Sequence, residues 1–395
     1  MNFMNVPPFS LNRQLSHIGD ELEEAISRVI HSGKYIGGQE IDEFEEAFSR
    51  FVGVPYTVGC NSGTDALILA LRALEIGAGD EVITCSFSFF ATAEAISSVG
   101  AIPVFVEIDR KNYLIDIEKI EKAITPSTKA ILPVHLFGCP VDMDQIMNLA
   151  SKYNLKVIED CAQAAGAKWN GNSVGSYGDI GCFSFFPTKN LGAAGDGGAV
   201  TTKHKALASQ MRELSVHGMP ERYLHTNLGY NSRLDAIQAA ILNIKLPYLN
   251  KWVGERAKAS SNYLEALKGL NDIILPKINL AHGSEHGWNQ FVIRIKNFST
   301  KEEDKYVDDN KLQCKNSRDI FKQRLEDYGI KTIIYYPIPI HLQPAYIHMG
   351  FQKGDMPLTE SLSDEVLSLP LFPEITSDEQ EYVAKKIISL AKSKT

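Results

Sequence analysis

Several features are scarce in this chain, and each scarcity removes a class of function. No stretch approaches the ~20 consecutive apolar residues needed to cross a bilayer. The start, MNFMNVPPFSLNRQ, lacks the basic-then-apolar order of a signal peptide. Basic residues are outnumbered, 40 Lys and Arg against 48 Asp and Glu, for a net charge of −8. That balance argues against a general nucleic-acid or membrane-surface partner, although a few local arginines and backbone N–H groups can still hold an anionic small ligand. The six cysteines, Cys60, Cys85, Cys139, Cys161, Cys182 and Cys314, show no C-x-x-C spacing. Five of them lie in apolar or strand-like surroundings, where free cysteine behaves as a small hydrophobe. This favours a reduced, cytoplasmic chain over a disulfide framework or a metal site. Missing too is a G-x-G-x-x-G turn between the first strand and helix, which a dinucleotide-binding dehydrogenase or epimerase would want. There is no internal repeat and no low-complexity segment.

What is present is an ordinary globular composition, 44% hydrophobic and 22% charged over 395 residues. A chain of this length should bury about three-quarters of its unfolded surface, and it suggests two domains, or one large domain with an appendage. From about residue 56 to 202, short β-rich runs alternate with helical patterns. The predicted strands are Tyr56–Cys60, Glu81–Ser86, Ile102–Val106, Ala130–His135, Lys156–Asp160, Ile180–Phe185 and Gly198–Thr202. Between them, Asp65–Leu74, Ile117–Ile124 and Met143–Tyr153 carry apolar residues at three- and four-residue intervals. Such alternation predicts an α/β fold with a mainly parallel sheet covered by helices on both faces, and ligands on such sheets sit at the C-terminal ends of strands. Helices are then expected over Lys203–Val216, Ser232–Lys245 and Tyr248–Leu270. Beyond Gly287 the texture changes to a β-like run, Trp288–Ile295, a helix, Asp319–Tyr328, and the Pro-rich Tyr335–Pro344. The polar run Ser299–Ser317 reads as an exposed excursion.

Lys189 follows the almost continuously apolar Ile180–Phe186 and precedes a crowd of glycines at 192, 195, 197 and 198. A lysine held at the buried edge of a sheet loses hydration and with it some preference for the charged form, which is what an amine needs to condense with a carbonyl. Asn61–Asp65 lies between a strand and a helix. There Ser62, Gly63 and Thr64 either form a phosphate cradle from free N–H groups or merely cap the helix. Asp160 ends a strand, where it can face a ligand and keep a pyridine nitrogen protonated, or serve as a plain helix cap; Gln163 lies three residues on. Ser184 precedes Lys189 on its strand and can reach a phosphate. Phe89 can stack on an aromatic ring, though alone such a residue is more often core. Asn231 and Arg233 stand at a predicted helix start, where caps and anion contacts look alike. Together these residues form a phosphate cradle, a ring-stacking aromatic, a ring-nitrogen acid and a lysine, each beside a strand end. That set is the equipment for pyridoxal 5'-phosphate (PLP).

The segments SGKYIGGQEIDEFEEAF, NSGTDAL, SFFATAEAI, HLFG, IEDCAQAAGA, GCFSFFPTKNLGAAGDGGAV, GYNSRLDAIQAAIL and YYPIPIHLQPAY occur in this order along nearly the whole chain. In them the chain resembles the DegT-type sugar aminotransferases, enzymes of PLP fold-type I. The resemblance implies a large PLP-binding domain with a seven-stranded sheet over 1–247, including a helical N-terminal segment, and a smaller α+β domain over 248–395. It implies that Lys189 forms the Schiff base, that Asp160 pairs with the pyridinium nitrogen, that Gln163 approaches the phenolic oxygen and that Phe89 packs on the ring. Gly63, Thr64 and Ser184 would hold the phosphate, with Asn231 reaching it from the other subunit of a homodimer with shared active sites. Tyr35, Arg233 and His341 match segments that line the family's substrate cleft. Some relatives that remove a sugar hydroxyl carry histidine at the lysine position; lysine here favours transamination.

The implied reaction takes an amino group from glutamate, releasing 2-oxoglutarate, and delivers it to a keto-sugar linked to UDP or dTDP. GYNSRLDAIQAAIL looks more like the members acting on 3-keto sugars than those acting on 4-keto sugars, where GFNYR is commoner. The alternatives are a 4-keto-sugar aminotransferase of the same family and a PLP-binding regulatory protein without turnover.

Overall fold

Short runs that are apolar on both faces suit a sheet covered on each side by helices. In the computed structural model, which describes residues 3–278, 280–296, 298 and 316–392, seven such runs form one sheet. Their order is Tyr56–Cys60, Gly198–Thr202, Ile180–Ser184, Lys156–Asp160, Thr128–Ile131, Glu81–Cys85, Ile102–Val106. Gly198–Thr202 runs antiparallel to both neighbours, and the remaining neighbouring pairs are parallel. The α/β reading of the sequence therefore holds, with one reversed strand.

Local chemistry sets the helix ends. Ser62 accepts the Asp65 N–H at 3.1 Å and starts the helix Gly63–Ala73. Asp142 does the same for Met143–Tyr153 through Gln145 N–H, and Asn154 closes that helix with a left-handed φ of 53°. Met143, Ile146 and Ala150 form its buried stripe.

Alternation along Ile180–Ser184 is what orients the lysine segment. Successive strand side chains point to opposite faces. Phe183 and Phe185 share one face and meet Phe44 and Phe48 of the helix Gln39–Val52, edge to face, with centroids 5.0 to 5.4 Å apart. Cys182 and Ser184 share the other, where the Cys182 thiol reaches the Ala66 carbonyl of the helix Gly63–Ala73 at 3.4 Å. The aromatic face fixes the strand, and the small face leaves room at its end.

A second, antiparallel sheet joins Ile273–Ile274, Phe291–Ile295 and Val366–Leu369. Tyr263 from the helix Leu249–Ala266, Phe321 and Leu325 from Ser317–Asp327, and Val383 and Ile387 from Ser377–Lys392 pack on it. The beginning of the chain differs from the expected division at 247. Val6 belongs to this second core and pairs through its backbone with Gly329 and Lys331, while Arg13 forks onto Glu379 at 2.6 and 2.7 Å.

Two of the expected elements are cut short for a visible reason. The strand anticipated over Ala130–His135 is Thr128–Ile131, because Pro133 has no N–H to donate to a ladder. The helix anticipated over Ser232–Lys245 begins at Ala236, since Tyr230 and Ser232 donate to the carbonyls of Leu214 and Ser215 in extended backbone. Asn231 and Arg233 therefore precede the helix and do not cap it. Of the polar run Ser299–Ser317, residues 299–315 lie outside the described residues, and Asn316 caps the helix that opens at Ser317.

Phe48 is fully buried among four aromatic neighbours. Phe48→Ala should cost about 3–5 kcal/mol in urea unfolding; a loss below about 1 kcal/mol would show that this contact does not anchor the Lys189 strand.

Candidate active site

Four strand ends converge on one edge of the sheet, and the sequence places a different chemical group after each. Past Tyr56–Cys60 come Ser62, Gly63 and Thr64. Glu81–Cys85 is followed by Ser86 to Phe89, Lys156–Asp160 ends on its acid, and Ile180–Ser184 leads through Pro187 to Lys189.

Glu159 and Asp160 are adjacent buried carboxylates with opposite fates, because a strand turns them to opposite faces. Glu159 is saturated. One oxygen accepts from Gly175 N and His135 Nε2 at 2.8 and 3.1 Å, the other from Tyr177 N and Gly178 N at 2.8 Å each. Burial alone would raise its pKa, but His135 and the backbone N–H groups outweigh it and hold the carboxyl below its ordinary value. Val141 N–H donates to His135 Nδ1 at 3.0 Å, so Nε2 carries the proton it gives to Glu159. His135, Glu159 and Cys161 lie close enough to hold a metal ion, but the histidine and glutamate atoms are already committed to these hydrogen bonds.

Asp160 is open by comparison. Each oxygen takes one hydrogen bond, from Thr92 Oγ1 at 2.9 Å and from Ala162 N at 3.1 Å. Burial raises its pKa, against the pull of Ala162, Thr92, Lys189 and His135. A desolvated carboxylate with unused lone pairs suits a cationic ring nitrogen, which would lower its pKa again.

Lys189 is the other half of the pair. Burial lowers its ammonium to about 8, and the attraction of Asp160 recovers only part of the shift. The turn carrying it is fixed by Lys189 N–H to Phe186 O at 2.9 Å and by Ala193 N–H to Phe185 O at 2.7 Å. Asn190, 5% exposed, donates to the carbonyls of Ala165 and Gly287 at 3.2 and 2.6 Å and accepts from Asn289 at 3.1 Å. The residue beside the lysine thus nails the turn to the second core.

Gly63 and Ser184 meet where the helix Gly63–Ala73 starts. A Cβ on Gly63 would stand 2.6 Å from Ser184 Cβ, so only glycine lets the helix terminus come this close to the strand end. The N–H groups of Gly63 and Thr64 find no acceptor among the described residues. Ser62 Oγ is used as an acceptor by the cap, and its own proton is left to donate. A free helix N-terminus beside a serine hydroxyl fits a phosphate monoester.

Gln163 is held at both ends, accepting Phe137 N–H at 2.7 Å and donating to Tyr336 OH at 2.8 Å. The Phe89 ring, 57% exposed, lies 6.0 Å from the Tyr336 ring. The segment carrying Tyr35 pairs with the start of the helix that follows Arg233, Tyr35 O accepting Ala236 N–H at 2.9 Å and Ile36 bridging Asp235; Tyr35 is 48% exposed, and Asn231 is exposed too. His341 departs from its expected place in a substrate cleft. It is buried, with Nδ1 2.6 Å from Ser86 Oγ and Nε2 3.3 Å from Glu360. Enclosed in this way, the ring clamps the Pro-rich segment onto Ser86 and has no nitrogen left for a ligand. Sequence reasoning missed Thr92, Asn190 and Tyr336. Asn190 alone had a signal, its position directly after the lysine.

The family profile described as the DegT/DnrJ/EryC1/StrS aminotransferase family matches residues 16–388. A protein of Acidithiobacillus ferrooxidans named UDP-N-acetyl-3-dehydro-alpha-D-glucosamine 3-aminotransferase is 46% identical over 97% of each chain. Another from Aneurinibacillus thermoaerophilus, named dTDP-3-amino-3,6-dideoxy-alpha-D-galactopyranose transaminase, is 44% identical over 96% of this chain and 98% of its own. Among solved structures, S. venezuelae DesV in complex with a ketimine intermediate superposes with a TM-score of 0.91 at 40% identity, covering 98% of this chain and 99% of that one.

Gly63→Ala should leave the fold intact and weaken PLP retention about tenfold or more in equilibrium dialysis, the range expected when a charge-assisted hydrogen-bond site is blocked. Unchanged retention would contradict the cradle.

Proposed function

Because the chain belongs to the DegT/DnrJ/EryC1/StrS aminotransferase family, we propose that it is a PLP-dependent aminotransferase acting at C3 of a keto-hexose carried on UDP or dTDP, with glutamate as donor, in amino-sugar biosynthesis. The observation that carries the chemistry is the pairing of Lys189, desolvated to about 8, with Asp160, a buried carboxylate with lone pairs to offer. The position on the sugar is supported by the two relatives above, whose names both place the nitrogen at C3.

PLP, when bound, supplies an electron sink for the carbanion formed at the reacting carbon. Asp160 keeps the ring nitrogen protonated, the condition for that sink. Lys189 begins as the amine that anchors the cofactor. Once released, and with its pKa lowered to about 8, a minor fraction of it would be unprotonated at neutral pH and about half at pH 8, able to move the proton at the reacting carbon. Its low pKa serves both roles, since a fully protonated lysine could neither condense nor accept a proton. Gly63 and Thr64 N–H, with the hydroxyls of Ser62, Thr64 and Ser184, would hold the phosphate. Gln163 has one amide hydrogen beyond its bond to Tyr336, which it would offer to the phenolic oxygen. Phe89 offers a ring face for stacking.

The exposed positions of Phe89, Tyr35 and Asn231 support a homodimer in which Asn231 completes the phosphate site of the partner. Tyr35 and Arg233, carried on segments that pair through Ile36 and Asp235, form the part of the cleft offered to the nucleotide sugar. We place the enzyme in the cytoplasm.

Borohydride reduction of the purified protein followed by peptide mapping should put the pyridoxyl group on Lys189, and an adduct on any other lysine would remove the assignment. With glutamate as donor, 3-keto nucleotide sugars should be turned over about 100-fold faster than 4-keto ones, a margin set by the buried polar contacts of a site built for one carbonyl position. Turnover confined to 4-keto acceptors would remove the C3 claim and leave the aminotransferase. Asp160→Asn should fold normally and lose about 100-fold or more in kcat; wild-type rates would refute the role of Asp160.

A further inference from the structure

The helix Ala236–Lys245 grips the Lys189 turn at two points that the chemistry above does not use. Near the helix start, Gln238 Oε1 accepts Ala194 N–H at 2.8 Å. At its last residue, the Lys245 ammonium donates to the Gly192 carbonyl at 2.8 Å. Lysines are almost never fully buried unless paired, yet Lys245 is only 6% exposed. Burial lowers its ammonium to about 8, with Glu374 opposing the shift. A hydrated lysine on the surface would complement the helix C-terminus equally well, so the dipole does not explain the burial.

Gly192 does. It lies three residues beyond Lys189, and its backbone passes so close to Pro187 that a Cβ would collide with the Pro187 carbonyl oxygen. Any shift of Gly192 must therefore be taken up by Pro187, Thr188 and Lys189. Its buried carbonyl receives Lys245 as its donor; removing that donor would leave a polar group unsatisfied in a dry place. Asn190 holds the turn from the side of the second core, and Lys245 holds it from the side of the helix that follows Asn231 and Arg233.

Resting on the reading of Lys189 given above, we propose that Lys245 is a positioning residue for Lys189: tied to the Gly192 carbonyl, it keeps the turn closed so that the catalytic amine stays desolvated and within reach of Asp160. Gln238 is the second, weaker anchor of the same clamp.

The test is the pH dependence of Lys189 acylation in the apoprotein, read by competitive labelling with acetic anhydride and peptide mass spectrometry. Wild-type Lys189 should react with a midpoint near 8. In Lys245→Met the turn opens to water, and the midpoint should rise by about one unit or more toward the ordinary lysine value of ~10.4. In the holoenzyme kcat should fall about tenfold or more with KM within about threefold, as for a misplaced catalytic group. Lys245→Arg, which retains a donor, should recover most of both. A Lys245→Met protein that melts earlier but keeps the wild-type midpoint and kcat would reduce Lys245 to a packing role and overturn the proposal. If Lys245→Met does not fold, Gln238→Ala carries the test: a midpoint raised in the same direction supports the clamp, and an unmoved one overturns it. Borohydride trapping on wild-type Lys189 is independent of all this. Its failure would remove the assignment of Lys189, whereas intact trapping with an unmoved midpoint removes the clamp alone.

Discussion

An ammonium and a carboxylate share one poorly hydrated place in this protein, and neither is neutralised by the other. Burial lowers Lys189 and raises Asp160, and their mutual attraction recovers part of each shift without cancelling it. In water both groups would sit near their ordinary values and do little. Largely withdrawn from water, the amine can give up its proton near pH 8 and the acid keeps lone pairs for a cation. The surrounding architecture serves to hold this pair in place without letting it collapse into an ordinary ion pair.

Three kinds of support do so. Edge-to-face aromatic packing anchors the strand from Ile180 to Ser184 on one face, and the absence of a side chain at Gly63 lets a helix terminus approach the other. Glu159 gathers four hydrogen bonds and so fixes the strand that ends in Asp160, together with the turn at Gly175–Gly178. Asn190 ties the lysine turn to the second core, and Lys245 ties it to a helix of the first. A static pocket built in this way places its groups before any ligand arrives, the condition under which electrostatic stabilisation costs no reorganisation during reaction.

Much of this was legible in the sequence, for reasons that differ by element. The strands Tyr56–Cys60, Ile102–Val106, Lys156–Asp160 and Gly198–Thr202 and the helix Met143–Tyr153 have their expected bounds, because short apolar runs with sharp caps leave little choice. Lys189, Asp160 and the Gly63 turn stood out because each follows a strand, where an α/β sheet places its chemistry. Backbone pairing between distant segments was not legible. The helix expected from Ser232 begins at Ala236 because Tyr230 and Ser232 are drawn to Leu214 and Ser215, and Val6 pairs with Gly329 and Lys331, more than 300 residues away along the chain. His341 looked like a ligand-facing residue and proved to be enclosed, since whether a histidine has a free nitrogen depends on Ser86 and Glu360, neither of them near it in sequence. The hydrogen bonds on Glu159 and Asp160 supply the physical reason for preferring Asp160, which its place at the strand end had suggested.

The central claim is that Lys189 in the cofactor-free protein is an amine whose pKa is lowered to about 8. It can be measured directly by NMR titration of apoprotein carrying 13C-labelled lysine, with the Lys189 resonance assigned through its loss in Lys189→Arg. The account predicts that this resonance titrates near pH 8, well below the ~10.4 of a hydrated lysine. A Lys189 signal that titrates with the surface lysines, above pH 10, would contradict it.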